Sequence, residues 1–494
     1  MDAGNEKIKV ELTETMENTT PYASILTIKE FFDKSGLSQA IDDNIGARHG
    51  RGASDSKHIL AMVASQTCGY DAIEHLNRLP AKISALGLRI PSVTAARNYA
   101  GVFVNDNSEA ARCKGSCYVP EPNKYLDGFE KVHAHLFALA HRLSPKDTLT
   151  LDQDATYIES ARGGSLYSYK GFRGYEAFNT YCPEYDLVVG TQYRDANVNP
   201  GYGQLDELKS VLTHVPDGVK KIRLRSDSAG YQIELLRYCA EGRNERFGVI
   251  DFAISCPFCP DFRKAVMNTR EDAWRPLRDE NGIARQEWAE IVYVPASLST
   301  SKESPEYRFY AIRERMSVSN SGKTERDIQQ RIFPDEEITY LEEQNPNIKK
   351  LHLTALSGKI YKVFGIVSNI LDMSGVAIIR WHRLRCGKSE EAHDVLKSDF
   401  GGGHVPSHKF GVNAFWWNVS VLTMSVNNLI KRFFLPKDFA NKRAKTLRSL
   451  FYTVVGKVVR HARETVLKLS SKDVGALLLV EALKRMEVLL VSRT

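Results

Sequence analysis

The sequence lacks the features that mark secreted, membrane-spanning and disulfide-stabilised proteins. Eight cysteines are scattered over 494 residues, which does not resemble a disulfide framework and indicates a reducing compartment. The first twenty residues contain no basic segment followed by an apolar core, so we predict no signal peptide. Charged residues interrupt the apolar stretch GALLLVEALKRMEVLLV near the C-terminus, and no run reaches membrane-spanning length. We therefore expect a cytoplasmic protein without a membrane partner.

Motifs for zinc and nucleotide binding are also weak. Cys256 and Cys259 form a CxxC pair with no second pair at zinc-ribbon spacing. The stretch SGKT (321–324) resembles the end of a phosphate-binding loop, but Ser317 stands where the first glycine of such a loop belongs. Neither motif predicts a site.

The composition is that of an ordinary globular protein with a basic excess. The chain has 43% hydrophobic and 26% charged residues and a net charge of +7, and its length predicts two to four domains. Between Lys431 and Glu464 there are ten lysines and arginines but only two acids, Asp438 and Glu464. A basic region of this kind suits an anionic partner.

Changes in residue pattern predict a multidomain α/β protein. Its segments are a polar tail (1–24), a helical region (25–145), the first part of an α/β core (146–254), a β-rich insertion (255–375), the second part of the core (376–410) and a basic helical region (411–494). Within the core the order strand, strand, strand, helix, strand, helix, strand predicts one mixed sheet. We expect the insertion to form a separate domain.

The helical N-terminal region is the candidate DNA-binding region. Short helices with tight turns fit a helix-turn-helix module and a plain helical bundle equally well. The segment PSVTAARNYAGVF (91–103) begins with Pro and Ser, which is a helix-start signal. Arg97 in this segment is our candidate for a DNA contact.

Two acids lie together on the first strand of the core. Asp152 and Asp154 are two residues apart and so share one face of that strand. Neighbouring acids on a half-buried strand repel each other, and a bound divalent metal would resolve the repulsion. The alternative is that one of them is solvated at the edge of the sheet.

Two later acids complete the set of candidates. Asp227 stands where the strand-like run IRLR ends and a helical run begins, so it either points into the crevice where α/β sheets bind ligands or caps the helix. Glu390 in KSEEAHDVLK shares a helix face with Asp394 and Lys397. A solvated helix face would explain the second pattern as well.

The order of these acids around a long β-rich insertion resembles the DDE transposases of bacterial insertion sequences, in the branch whose RNase H-like core is interrupted by a β-strand domain. The resemblance covers about residues 25 to 465. It rests on LDQDAT (151–156), YKGFRGYEAF (169–178), RDANVNPGYG (194–203), RLRSDSAGYQ (223–232), WRPL (274–277), RCGKSEEAHDVLK (385–397) and FYTVVGKVVRHARE (451–464).

The resemblance implies a catalytic and metal-binding trio of Asp154, Asp227 and Glu390. The D-x-T form of the family matches Asp154 and the two residues after it, and Asp152 is the alternative first ligand. Arg385 and Lys397 occupy the basic positions before and after the glutamate, where they would neutralise DNA phosphates.

Two positions depart from the family pattern around this helix. His382 stands where relatives often have a tyrosine, and Asp394 stands where a basic residue is common. The phosphate contacts of this helix are therefore less firmly implied than its acid.

The implied reaction is metal-dependent cleavage at the element's ends followed by strand transfer into target DNA. Three carboxylates would hold Mg²⁺, or Mn²⁺ in its place, for phosphodiester displacement. The implied partners are terminal inverted repeats, target DNA and a second copy of the chain, in a bacterial cytoplasm and at the nucleoid.

The tryptophans of the insertion are the candidates for stacking on a base swung out during cleavage. Trp274 and Trp288 fit that role because stacking suits any base, and burial in the core is the alternative for each. Trp416 and Trp417 lie on an apolar helical stretch and are predicted to be core residues.

Two other functions stay open at this stage. The first is a transposase-derived DNA-binding protein without catalysis, which an intact acid trio disfavours. The second is a metal-dependent nuclease on the same fold, which would cut DNA without joining it.

Overall fold

The computed structural model describes residues 19–47, 52–112, 123–299, 301–315, 353–356, 359–461 and 464–491. The chain divides into two compact units. The first unit contains Met1–Glu109, Pro122–Leu136 and Val395–Thr494, and the second contains Ala110–Glu121 and Phe137–Asp394. The SGKT stretch at 321–324 lies outside the described residues.

The first unit is mainly helical. Its helices are α1 (Leu26–Lys34), α2 (Leu37–Asn44), α3 (Asp55–Thr67), α4 (Val93–Gly101), most of α5 (Asp106–Arg112), the first part of α6 (Lys124–Leu143), α12 (Phe410–Leu429), α13 (Ala444–Leu447) and α14 (Val474–Met486). Ser92 caps α4 by accepting a hydrogen bond from the Ala95 amide, as the Pro-Ser signal predicts. Trp416 and Trp417 on α12 are 1% exposed, and their prediction as core residues is confirmed.

The C-terminal part of the first unit is not wholly helical, in contrast to the prediction. Strands β1 (Thr19–Thr20), β13 (Gly456–His461) and β14 (Glu464–Leu469) form a three-stranded antiparallel sheet. The strands β13 and β14 contain β-branched residues such as Val458, Val459 and Val466, which favour a pleated conformation.

The second unit is built on one sheet. Its strands are β2 (Thr148–Glu159), β3 (Leu166–Tyr167), β4 (Arg173–Cys182), β5 (Leu187–Asp195), β6 (Lys221–Ser226), β7 (Asp251–Cys256), β8 (Arg275–Arg278), β9 (Ala284–Ile291), β10 (Arg308–Arg315), β11 (Leu353–Leu356) and β12 (Lys359–Ser368). Its helices are α7 (Gln204–Thr213), α8 (Ile233–Ala240), α9 (Pro260–Met267), α10 (Gly375–Arg383) and α11 (Arg385–Asp394).

The sheet is mixed, as predicted. Its first half has the order β5-β4-β2-β6-β7, in which β5, β4 and β2 pair antiparallel and β2, β6 and β7 pair parallel. Helix α7 connects β5 to β6, and α8 connects β6 to β7. This matches the predicted order of three strands, helix, strand, helix and strand.

The strands described in the insertion extend the same sheet. Strand β12 pairs antiparallel with β7, and the order continues β12-β10-β9-β8. The expected separate β domain is therefore, in its described part, a continuation of the core sheet. The hydrogen bonds between β12 and β7 provide this continuity, which residue pattern alone does not reveal.

Candidate functional site

The register of two parallel strands brings Asp154 and Asp227 together. Strands β2 and β6 pair so that Gln153 lies opposite Ser226, and the next residue on each strand is one of the two acids. Both acids line one cavity of about 100 Å³. We call it the carboxylate cavity, and its lining residues are Asp154, Ala155, Tyr157, Tyr169, Lys170, Pro200, Gln204, Asp227 and Ala229.

Asp227 has both of the roles that the sequence left open. One carboxylate oxygen accepts a hydrogen bond of 2.9 Å from the Ala229 amide and caps the short 3₁₀ helix Ser228–Gly230. The same side chain lines the carboxylate cavity. Burial, and then the charge of Asp154, raise the pKa of Asp227 above its ordinary value. The structure thus places Asp227 both as a cap and in the cavity beside Asp154.

Asp154 is bound by the segment that contains Glu390. Arg385 Nη1 lies 3.1 Å from Asp154 Oδ2, and the Ser389 hydroxyl donates to the same oxygen at 3.3 Å. Burial raises the pKa of Asp154 most; the guanidinium of Arg385 opposes this shift and the charge of Glu390 adds to it. The predicted cation before the glutamate therefore contacts the first acid of the predicted trio.

A glycine gives this segment its shape. The backbone leaves helical geometry at Cys386 and Gly387, and Gly387 has a φ of 111°, which side chains other than glycine rarely adopt. The kink separates Arg385 from the regular turn that carries Ser389, and both still reach Asp154. The run KSEEAHDVLK, which the sequence predicts as helical, therefore begins directly after the kink.

The third acid lies near the first two but does not join them in a cluster. Glu390 is exposed, and its charge raises the pKa of Asp154. Across the described ranges, no group of three His, Cys, Asp or Glu side chains is placed to hold a metal ion. The structure thus brings Asp154 and Asp227 together, and the metal-binding role of the trio stays a prediction.

Asp152, the alternative first ligand, has a structural partner. Its two carboxylate oxygens accept hydrogen bonds of 2.6 and 2.7 Å from Arg225, and both side chains are almost fully buried. Arg225 also donates to the carbonyl of Trp381 at 2.6 Å. We call this group the arginine fork (Asp152, Arg225 and Trp381). It favours Asp154 as the ligand, because the oxygens of Asp152 are already engaged.

His382 supports the strand end that carries Asp227. Its Nε2 lies 3.2 Å from the carbonyl oxygen of Ser226 and 3.3 Å from the Ser255 hydroxyl. Burial, and then Arg385, lower the pKa of His382 to about 3. The imidazole is therefore neutral at neutral pH and holds β6, β7 and α10 together.

The tryptophans proposed for base stacking lie in the core. Trp288 belongs to a cluster of buried apolar residues that includes Tyr310 and Ile378. Trp274 is 8% exposed, and the Arg313 guanidinium lies 4.2 Å from its ring centroid. The structure thus places both rings as the core alternative describes.

The other predicted DNA contacts are not gathered at the carboxylate cavity. Arg97 lies on α4 in the first unit, is exposed, and donates to Glu74 at 2.8 and 3.0 Å. Lys397 lies in the π-helical segment Val395–Asp399 of the first unit. Their roles in DNA binding stay predictions.

Some cations of the basic C-terminal region are used inside the protein. Arg443 and Lys445 pair with the buried carboxylate of Asp399 at 2.9 and 3.5 Å. Arg448 donates to the carbonyls of Gln66 and Thr67. The basic excess of this region is therefore partly structural.

Sequence reasoning missed two residues that line the carboxylate cavity, Tyr169 and Lys170. Both lie in the stretch YKGFRGYEAF, which carried the family resemblance, but no role was assigned to them. The available signal was an aromatic residue beside a lysine in a glycine-containing turn. Sites that bind single-stranded nucleic acid combine basic side chains with aromatic rings on which bases stack.

Comparisons with known proteins identify no relative by sequence. No protein-family model and no curated protein matches the chain. A solved structure that is similar to it is a cryo-EM structure of a piggyBac transposase synaptic complex with hairpin DNA. That similarity has 9% sequence identity and a TM-score of 0.40, and it covers 97% of this chain and 84% of the other. In the described residues, no helix is long and apolar enough to cross a membrane.

Proposed function

We propose that this protein is a DDE-type transposase that cleaves DNA at the ends of its element and joins those ends to target DNA. The observation that carries the proposal is the convergence of Asp154 and Asp227 in one cavity, with Arg385 and Ser389 linking the Glu390 segment to Asp154. The strand order β5-β4-β2-β6-β7, with its directions, supports an RNase H-like core. The acids come from its central pair of strands and from the helix beyond the insertion.

The donor set fits a hard divalent cation such as Mg²⁺ or Mn²⁺. Carboxylate oxygens are the ligands these ions prefer. Burial, and then the charge of Asp154, raise the pKa of Asp227, and a cation would relieve the repulsion between the two acids. Asp154 and Asp227 would hold the metal, with Glu390 as the third ligand. Bound metal would supply an activated water or 3′-hydroxyl and would stabilise the leaving oxygen of an in-line displacement.

The protein side chains would perform the remaining tasks. Arg385 limits the repulsion around Asp154 and provides positive charge beside the scissile phosphate. His382 fixes the carbonyl of Ser226 and hence the start of the turn that carries Asp227. The partners in this proposal are the two element ends, target DNA and a second copy of the chain.

The proposal is tested by cleavage of labelled duplexes that carry the DNA flanking the gene on each side. With Mg²⁺ we expect the native chain to cut, and Asp227→Asn to lose at least about 100-fold in rate because charge stabilisation at the phosphate is removed. Binding of the same DNA in Ca²⁺ should persist in the variant. Asp217→Asn, at a fully exposed position, is the matched control and should cut normally.

Each alternative gives a different result in this experiment. Equal cutting by the native chain and Asp227→Asn would reduce Asp227 to a helix cap and contradict the trio. Binding of the ends without any cutting would favour a DNA-binding protein derived from a transposase. Cutting without joined products would favour a nuclease. An Mn²⁺-dependent rise in melting temperature that Asp227→Asn abolishes would support metal binding independently of activity.

A further inference from the structure

Three tyrosines are exposed around the carboxylate cavity. Tyr167, Tyr169 and Tyr202 are 66%, 71% and 56% exposed. Tyr169 lines the cavity itself, and Tyr202 lies between Pro200 and Gln204, which line it too. Aromatic side chains clustered in this way beside a site indicate a binding surface, whereas scattered exposed apolar residues are normal.

Basic side chains accompany two of these rings. Lys170 Nζ lies 4.9 Å from the Tyr157 ring centroid and 5.8 Å from that of Tyr169. Arg173 Cζ lies 5.6 Å from the Tyr167 ring centroid. In the portion of the chain that the structure describes, Lys170 forms no ion pair within 4.0 Å, although its charge acts on the buried Glu176. It lines the cavity beside the two acids, where it can also contact a phosphate.

The turn between β3 and β4 is ordered by its own contacts. The Ser168 amide donates to the Phe172 carbonyl at 2.7 Å, and Gly171 has a φ of 87° that favours glycine. Tyr157 packs edge-on against Phe172 at 5.4 Å and against Tyr169 at 6.2 Å. The position of Tyr169 and Lys170 beside the acids is therefore built into the fold.

We propose that Tyr169 and Lys170 form a subsite for an unpaired nucleotide next to the scissile phosphate. The Tyr169 ring stacks on the base, and Lys170 neutralises the backbone phosphate that follows. The inference rests on the proposed function, because it names the DNA that occupies the same site. It also assigns the stacking role to a surface ring, since Trp274 and Trp288 are buried.

The test is binding of two fluorescent DNAs to the full chain in Ca²⁺, one fully paired and one with a short forked end. We expect Tyr169→Ala to weaken the binding of forked DNA by about 10-fold or more and to leave the binding of paired DNA unchanged. Tyr169→Phe keeps the ring and should bind like the native chain. Lys170→Ala should reduce the slope of log affinity against log salt by about one. Lys220→Ala, at another exposed lysine, should not change it.

The inference is wrong if Tyr169→Ala binds the forked DNA as tightly as the native chain. It is also wrong if the variant loses affinity for forked and paired DNA equally. A native melting temperature in each variant shows that the loss is local. The measurement is separate from cleavage. Selective loss of forked DNA in a chain that never cuts would keep the subsite and overturn the transposase proposal. Cleavage by the native chain, together with unchanged binding of forked DNA by Tyr169→Ala, would support the transposase proposal and overturn the subsite.

Discussion

The arginine fork and the carboxylate cavity each contain an acid of strand β2, Asp152 in the fork and Asp154 in the cavity. The two acids are two residues apart, but their surroundings are opposite in kind. In the fork, both oxygens of Asp152 are held by Arg225 at hydrogen-bonding distance. In the cavity, Asp154 shares Arg385 with other charges and lies beside a second acid. This difference indicates that the fork stabilises the sheet, whereas the cavity retains negative charge that a ligand can use.

The largest expected effect is at the fork. Asp152→Asn leaves the buried guanidinium of Arg225 without its charge partner, so we expect the free energy of unfolding to fall by about 3–5 kcal/mol. Urea denaturation followed by circular dichroism measures this loss. Asp154→Asn is the matched comparison, and we expect it to unfold at the native midpoint or higher. Equal destabilisation by the two variants would erase the distinction between the regions.

Another buried acid, Glu176, sharpens the comparison, because its charge partner, Arg194, is more distant. Glu176 and Arg194 are fully buried, but the nearest atoms of their charged groups are 3.6 Å apart, which is longer than a hydrogen bond. Burial raises the pKa of Glu176 from 4.5 to about 7. The folded chain therefore holds a proton that the unfolded chain releases, and the stability from this group falls as pH rises from about 4.5 to 7.

The measurement is the difference in urea midpoint between the native chain and Glu176→Gln across this pH range. Glutamine does not titrate, so we expect the native chain to lose up to about 3 kcal/mol relative to the variant as pH rises. Parallel curves for the two chains would show that Arg194 holds Glu176 ionised throughout. In that case the loose pair would resemble the fork.

The smallest predicted effect is at His382, which connects the arginine fork to the carboxylate cavity. His382 follows Trp381 of the fork and contacts the carbonyl before Asp227. We expect His382→Ala to slow cleavage by about 10-fold, because a buried hydrogen bond is worth about 1 kcal/mol and its loss shifts a metal ligand. DNA binding in Ca²⁺ should not change. His382→Gln retains a donor and should recover part of the rate; failure to do so would argue against positioning through Ser226.

The central features of the fold were predictable because they depend on local pattern. The alternating run before Asp227 predicted β6, and the helical spacing after it predicted α8. The order of strands and helices along the core followed from the same reasoning, whereas their order in the sheet did not. The hairpin at Gly456–Leu469 was missed because its apolar residues are also spaced acceptably for a helix.

The site was predictable only in its acids. Asp227 could be placed because the sequence marks the end of the strand-like run before it. Asp154 was assigned by the D-x-T form that the family resemblance implies, and the register of β2 with β6 brings it beside Asp227. The pairing of Asp152 with Arg225 depends on which strands are neighbours, and no residue pattern specifies that. The burial of Trp288 likewise depends on the packing of α10 against the sheet, which residue pattern alone does not specify.

The pairing of β12 with β7 also protects the protein against self-association. Without the insertion, β7 would present a row of unpaired backbone groups on which another chain could assemble. In the part of the insertion that the structure describes, the sheet continues from β7 to an edge at β8, which has four residues, RPLR. A proline cannot donate a backbone hydrogen bond, and two arginines add like charges along a short edge. The insertion therefore replaces an aggregation-prone edge with one that resists intermolecular strand addition.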